Sequence, residues 1–297
     1  MKSSTTELRS ERVLILGGSG WVGSAASRIL SDSGAEILEM ASYQRDVSSE
    51  WGIRKIVATD YEVARAFEPT IVIDAAFITR ERISEVGEKA FIETNLRLIE
   101  FAQRIQELPT IKSFIGLSSG AAVFHPQDEN NLTVPEMYGK MKRDYENSLL
   151  DSSLRDITKI ARIWSVTCPF VTKLSFFAFA DLIIQGRKGK IQINSTGEVW
   201  RRYVDLGEFI EVVIAASPEE DRVIESGGEL IEIGELAKIV FEVLGRPARV
   251  ARNLLPTSPR NDFYSDNLSW IKAVRQVDFT PKTIKQQLAD VAERLPR

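Results

Sequence analysis

The chain has 297 residues, 43% hydrophobic and 27% charged, with a formal net charge of −4, one cysteine and one histidine. Cys168 alone excludes an intrachain disulfide and fits a reducing, cytoplasmic setting, while His125 alone argues against a histidine-ligated metal centre or chemistry needing several imidazoles. The acidic balance offers no basic face for nucleic acid, and the longest apolar stretches, 176–180 and 209–216, fall short of the ~20 residues of a membrane-spanning helix.

The polar start MKSSTTELRSER lacks the apolar centre of a signal peptide and reads as a tail before the first strand. Residues 12–16 form an apolar run ending in glycine, and 21–30 read as a helix closing near Gly34. A second strand is expected over 36–40, a weaker third over 55–58, a helix over 61–67 and a continuous apolar strand over 70–76. A long helix over 88–107 stops at Pro109; then come a strand over 112–118, a helix over 135–150 and a strand over 158–166. Strands apolar throughout, alternating with helices, predict a doubly wound parallel α/β sheet covered on both faces.

Beyond about 165 the texture changes. Short strands (190–194, 203–206) mix with helices (174–185, 207–217, 233–244), and Pro247, Pro256, Pro259 and Pro281 punctuate the tail. Phe176, Phe177 and Phe179 read as a buried helix or a partner contact. The expected division is a Rossmann domain over 1–167 and a smaller α/β lobe over 168–297, with some interleaving and a substrate cleft between them.

Directly after the first strand comes GGSGWVG, with Gly17, Gly20 and Gly23 spaced as GxxGxxG. Between a strand and a helix this pattern serves a dinucleotide: the first glycine turns tightly, the second admits the pyrophosphate, and the third lets helix and strand pack closely. Gly17, Ser19, Gly20, Trp21, Val22 and Gly23 are therefore expected at the cofactor. The end of the second strand separates NAD from NADP. The position that usually carries a ribose-binding acid is Ala41, followed by Ser42, Tyr43, Gln44 and Arg45. A hydroxyl and a guanidinium suit a 2′-phosphate, so Ser42 and Arg45 favour NADP over NAD, although Glu39, one register back, leaves NAD open.

Tyr138 and Lys142 lie four residues apart, on one face of a helix. An ammonium beside a phenol favours the phenolate, so Lys142 is expected to bring the Tyr138 pKa down from near 10 toward the working range. The pair follows a strand ending in Ser118-Ser119.

In this order the motifs resemble the extended short-chain dehydrogenase/reductase family of nucleotide-sugar epimerases, dehydratases and reductases. The resemblance runs through GGSGWVG, TIVIDAAFIT at 70–79, Asn95, FIGLSSGAAVF at 114–124, YGKMK at 138–142, RIWSVTCP at 162–169, WRRYVDL at 200–206 and the ending DNLSWIKAVRQVDFTPKTIKQQL. It implies Tyr138 as acid/base supported by Lys142, a serine on the substrate oxygen, and Asn95 holding a water in a proton relay. It also implies Ala75, Ala76 and Phe77 along the cofactor, Arg201 on a nucleotide diphosphate, and a homodimer through the helices at 88–107 and 135–150. Counting forward from the strand gives Ser119 as the serine, with Ser118 next. Counting back from Val123-Phe124 gives Gly120 instead. His125 replaces a common glycine, and Gly207-Glu208 stands where paired aspartates are frequent.

Gly120-Ala121-Ala122 follows the serine where dehydratases of the family carry an Asp-Glu pair, which disfavours a dehydratase. The missing strand-end acid points to NADPH and hence to a reductase of a nucleotide-linked 4-keto-deoxysugar. An NAD-dependent nucleotide-sugar 4-epimerase, an NADP-binding redox-sensing regulator without turnover, and a reductase of a non-sugar carbonyl stay open.

Overall fold

The computed structural model describes residues 8–49, 52–126, 131–172, 174–219 and 221–295; the start of the tail read at the N-terminus lies outside them. In chain order the elements are β1 (Arg12–Leu16), α1 (Trp21–Ser31), β2 (Glu36–Ala41), β3 (Arg45–Ser49), β4 (Gly52–Ala58), α2 (Tyr61–Phe67), β5 (Ile71–Asp74), α3 (Ile83–Val86), α4 (Glu88–Gln106), β6 (Ser113–Ser119), α5 (Val134–Leu150) and β7 (Thr158–Ile163). There follow β8 (Val166–Thr167), α6 (Ala178–Arg187), β9 (Ile191–Ile193), β10 (Val199–Asp205), α7 (Leu206–Ala215), β11 (Val223–Glu225), β12 (Glu229–Glu232), α8 (Ile233–Val243), β13 (Val250–Arg252), β14 (Asn261–Asp262), α9 (Leu268–Gln276) and α10 (Ile284–Arg294).

The apolar runs become the interior strands of an eight-stranded sheet ordered β11-β7-β6-β5-β1-β2-β4-β3. From β4 to β7 neighbouring strands are parallel, and β3 runs antiparallel against β4. The chain builds outward from β1 through β2 to β4, returns to β5 on the other side of β1, and continues to β6 and β7. This is the Rossmann order, and its reversal between β1 and β5 marks where such sheets bind ligands, beyond the carboxyl ends of the strands. Leu14, Val72, Phe91, Phe114, Tyr145 and Ile160 belong to one buried cluster that ties the sheet to α4 and α5.

Two compact units result: one runs to Ile163 and takes in Val213–Ile224, and the other is Trp164–Val212 with Glu225 onward. Within the second, β10 pairs antiparallel with β12 and parallel with β8 and β14, β9 pairs with β13, and α6, α8 and α10 pack on one another.

Several elements differ from the sequence reading, and three of the differences have a clear physical reason. The stretch after β2 is not a loop throughout, because Arg45 opens β3, a polar edge strand with no apolar run to announce it. The strand expected over 158–166 is two, since the Trp164 amide turns aside to the Ser226 hydroxyl (2.8 Å). The helix expected over 174–185 is a 3-10 turn, Leu174–Phe176, followed by α6; Phe179 is buried while Phe176 is half-exposed. Among the described residues no helix is long and apolar enough to cross a membrane.

Candidate active site

The glycine turn links β1 to α1. Gly17 has φ +76°, and a Cβ there would stand 2.6 Å from the Ala75 carbonyl oxygen at the end of β5, so this crossing of two strand ends requires glycine. Gly20 caps α1 without a side-chain hydrogen bond, and no acidic residue lies in the first turn. The amides of Trp21, Val22 and Gly23 thus open a helix N-terminus suited to an anion. A Cβ at Gly20 would meet only the Gly17 oxygen, at 3.3 Å, so the backbone there is open to close approach. These features fit a dinucleotide diphosphate.

At the end of β2, Ala41 is buried and Ser42 exposed. Arg45 curls back: Nη1 donates to the Tyr43 hydroxyl (2.7 Å), the guanidinium lies over the Tyr43 ring, and Nη2 reaches the Ser19 carbonyl (3.5 Å). A guanidinium is therefore held at the lip of the glycine turn. Its Nε is buried and has no hydrogen-bond partner among the described residues. Glu39 points inward instead. Its carboxylate accepts from Ser27 Oγ (2.7 Å) and pairs with Arg54, which also donates to Ser24 Oγ (2.8 Å). Bonded in this way, Glu39 is committed to bracing α1 against β2 and β4.

The second half of the site hangs from β6 and α5. A Thr133-x-x-Glu136 capping box with Pro135 in the first turn starts α5, Glu136 reaching back to the Thr133 amide (2.9 Å). Gly139 then lets the helix lie against the 3-10 turn Gly120–Val123, where a Cβ would be 2.6 Å from the Ala121 oxygen. Arg143 fastens the contact by donating to the carbonyls of Ala122 and Phe124 (both 3.0 Å). The result brings Tyr138 and Ser119 into a hydrogen bond. Ser118, on the opposite face of the strand, keeps a buried hydroxyl without a partner among the described residues, and Gly120 is buried in the turn. The forward count along the strand therefore gives the residue that meets Tyr138.

Electrostatics reverse one expectation. Burial pushes the Tyr138 phenol up to about 12, against the Ser119 hydrogen bond, which lowers it; Glu81 adds to the rise and Arg80 opposes it. Lys142 does not bring it down to neutrality. Its Nζ donates to the Leu117 carbonyl (2.9 Å) and sits 3.8 Å from the centre of the Phe77 ring. Burial lowers this ammonium to about 8, offset by Asp74 and Glu146. Phe77 stands edge-on to Tyr138, between the two groups of the motif.

Asn95 is fully buried and spends its amide on backbone: Oδ1 accepts from the Ile78 amide (2.8 Å) and Nδ2 donates to the Ile78 carbonyl (3.3 Å). It pins the strand-end segment that carries Ala75, Ala76 and Phe77. In the second unit, Arg201 donates to the Trp200 carbonyl (2.7 Å) and to both the carbonyl and the side-chain oxygen of Asn261 (2.9 Å each). His125 and Phe124 are exposed.

The sequence reading passed over Asp74, Tyr145 and the Arg80–Glu81 pair. Asp74 carried a signal, a carboxylate inside the apolar run TIVIDAA. Nothing local joins it to Tyr145, whose hydroxyl donates to it at 2.7 Å from 71 residues away.

Residues 13–234 match the NAD dependent epimerase/dehydratase family. The chain belongs to that family. It is an enzyme of the extended short-chain dehydrogenase/reductase type. A search of curated proteins gives no match. Among solved structures it resembles the Bordetella bronchiseptica enzyme WbmF in complex with NADH (17% identity, 97% of this chain and 92% of that one, TM-score 0.72). It also resembles UDP-glucuronic acid 4-epimerase from Bacillus cereus in complex with NAD (16%, 95% and 96%, 0.66) and an epimerase of Methanothermobacter thermautotrophicus (20%, 97% and 93%, 0.66).

Proposed function

We propose that the enzyme reduces the C4 carbonyl of a nucleotide-linked deoxyketosugar, with NADPH as the reductant. The observation that carries this reading is Tyr138: a phenol kept protonated by burial and bonded to Ser119 is suited to give its proton to an oxygen that gains charge. NADPH, when bound, supplies the hydride. The glycine turn and the N-terminus of α1 would hold its diphosphate, Arg45 and Ser42 its 2′-phosphate, Ala75, Ala76 and Phe77 its flank, and Lys142 its ribose. Ser119 fixes the carbonyl oxygen, and Tyr138 Oη transfers its proton to that oxygen as the carbon is reduced. The resulting phenolate recovers a proton from water, for which Asn95 retains one amide proton beyond its bonds to Ile78. Arg201 is assigned to the nucleotide diphosphate, and a homodimer through α4 and α5 belongs to the same reading.

A second reading, an NAD-dependent 4-epimerase, is favoured by the neighbours from B. cereus and B. bronchiseptica, whose structures contain NAD or NADH. Thermal shifts with NADH and NADPH, each with UDP or dTDP added, separate the two, because a ligand that binds only the folded state raises its stability. The reductase reading expects the larger shift with NADPH and consumption of NADPH by a 4-ketosugar nucleotide. Nicotinamide retained through dialysis, with interconversion of sugar epimers, would replace it with the second.

A further inference from the structure

Asp74 ends β5 with a side chain 2% exposed, and both of its oxygens are engaged by neutral donors: Oδ1 by the Ala76 amide (2.9 Å) and Oδ2 by the Tyr145 hydroxyl (2.7 Å). Room for that hydroxyl exists because residue 116 is glycine; a Cβ there would stand 2.8 Å from the tyrosine oxygen. Tyr145 lies three residues after Lys142 on the same face of α5, and the lysine Nζ is 5.2 Å from its ring. Carboxylate, phenol and ammonium thus share one dry compartment beneath the Tyr138–Ser119 pair.

The surrounding charges can be assigned one element at a time. On α5, Glu146 also faces Lys142, but Arg162 of β7 grips it with Nε on both oxygens (2.9 and 3.1 Å) and Nη2 on one (2.6 Å). From β6 the ammonium meets the Leu117 carbonyl. The turn Arg80–Arg82 brings Arg80 and Glu81 toward Tyr138. The charged residues of α4 are all exposed, and Gln103 and Gln106 are the α4 side chains that bond to α5, at the Ser148 and Leu149 carbonyls. Glu146 has its own cation. Asp74 has Lys142.

We propose that Asp74 is the buried counter-charge of Lys142, a positioning residue that keeps the ammonium protonated and seated under the active site, acting through the lysine and not on substrate. Burial raises Asp74 to about 6 and lowers Lys142 to about 8, so both members are charged between those values and each depends on the other. The pairing rests on the Tyr145 side chain that both groups touch, the carboxylate at its hydroxyl and the ammonium against its ring; its consequence for turnover rests on the function proposed above.

The test is an NMR titration of the full-length protein labelled with ¹⁵N-lysine and ¹³C-aspartate, with Lys142→Arg used for assignment. The wild-type Lys142 signal should lose its proton near 8 and show a second inflection near 6, where the Asp74 carboxyl titrates. Asp74→Asn should erase that inflection and lower the lysine titration by about one pH unit or more. Tyr145→Phe, which removes a hydrogen bond to the carboxylate, should move the inflection upward. A wild-type lysine signal with no inflection near 6 overturns the proposal even if the Asn variant fails to fold, as does an Asn variant whose lysine curve superimposes on wild type. Turnover is read in parallel: the alkaline limb of kcat/KM should fall together with the lysine titration. If the lysine titration moves and the rate profile does not, the pair stands and the catalytic reading of Lys142 fails.

Discussion

Two carboxylates are buried on the strands that flank β1, and they are treated in opposite ways. Glu39 on β2 meets Arg54, a cation that never loses its proton, and the pair is closed by Ser27 and Ser24. Asp74 on β5 meets a phenol and an amide, and against the same phenol ring lies Lys142, whose proton burial has loosened. The first arrangement is a fixed brace between α1, β2 and β4. The second can exchange a proton, and it lies on the side of the sheet that carries Tyr138. The half expected to hold the adenosine is locked, and the half expected to do chemistry is left titratable.

The sharpest way to test that difference is Tyr138→Phe. Removing the proton donor should lower turnover by roughly 10²–10⁴-fold, with urea stability and cofactor affinity near wild type; unchanged turnover would remove the chemistry from this half altogether. Next in size is Arg54→Met, which leaves Glu39 buried without its cation and should lower stability by about 3 kcal/mol in urea melts. Adding Glu39→Gln should restore much of that loss, and neither change should move the pH profile of the rate. Arg45→Ala should weaken NADPH binding by about tenfold and leave NADH affinity alone, measured by fluorescence titration.

The last test is stability against pH for Asp74→Asn. A carboxyl whose folded pKa is raised to about 6 contributes stability that is complete below its ordinary 3.8 and lost as pH rises through about 6. Urea midpoints at pH 4 and 7 should therefore show the Asn variant gaining on wild type at the higher pH. A constant gap between the two would mean that Asp74 does not titrate in the folded protein.

Much of the first unit is legible from local pattern. Strands such as 12–16 and the helix Tyr61–Phe67 follow from continuous apolar runs and capping residues, and the Rossmann order follows from strands alternating with helices. The polar edge strand Arg45–Ser49 escapes, because half-exposed residues paired on one side give no hydrophobic signal. The short strands β8, β12, β13 and β14 of the second unit, two to four residues each, are below the length at which a period can be read, while β9 lies inside the strand expected over 190–194. At the site, Tyr138 and Lys142 are visible as a spacing. Ser119 is reached by counting along the strand, but its separation from Gly120 depends on how Gly139 and Arg143 seat α5 against the turn after β6. The direction of the Tyr138 shift is hidden for a related reason: the spacing shows an ammonium nearby, but only the packing shows that it is turned onto the Leu117 carbonyl.

The glycine that caps α1 has a further consequence. A serine or aspartate in its place would stabilise the helix by roughly a few tenths of a kcal/mol, so the chain forgoes a little intrinsic strength at the very turn a diphosphate would occupy. A ligand at a hundredfold excess over its Kd returns about 2.7 kcal/mol. A nucleotide bound at that turn would thus return far more stability than the missing cap withholds, and the folded enzyme would be measurably harder to unfold with its coenzyme than without it.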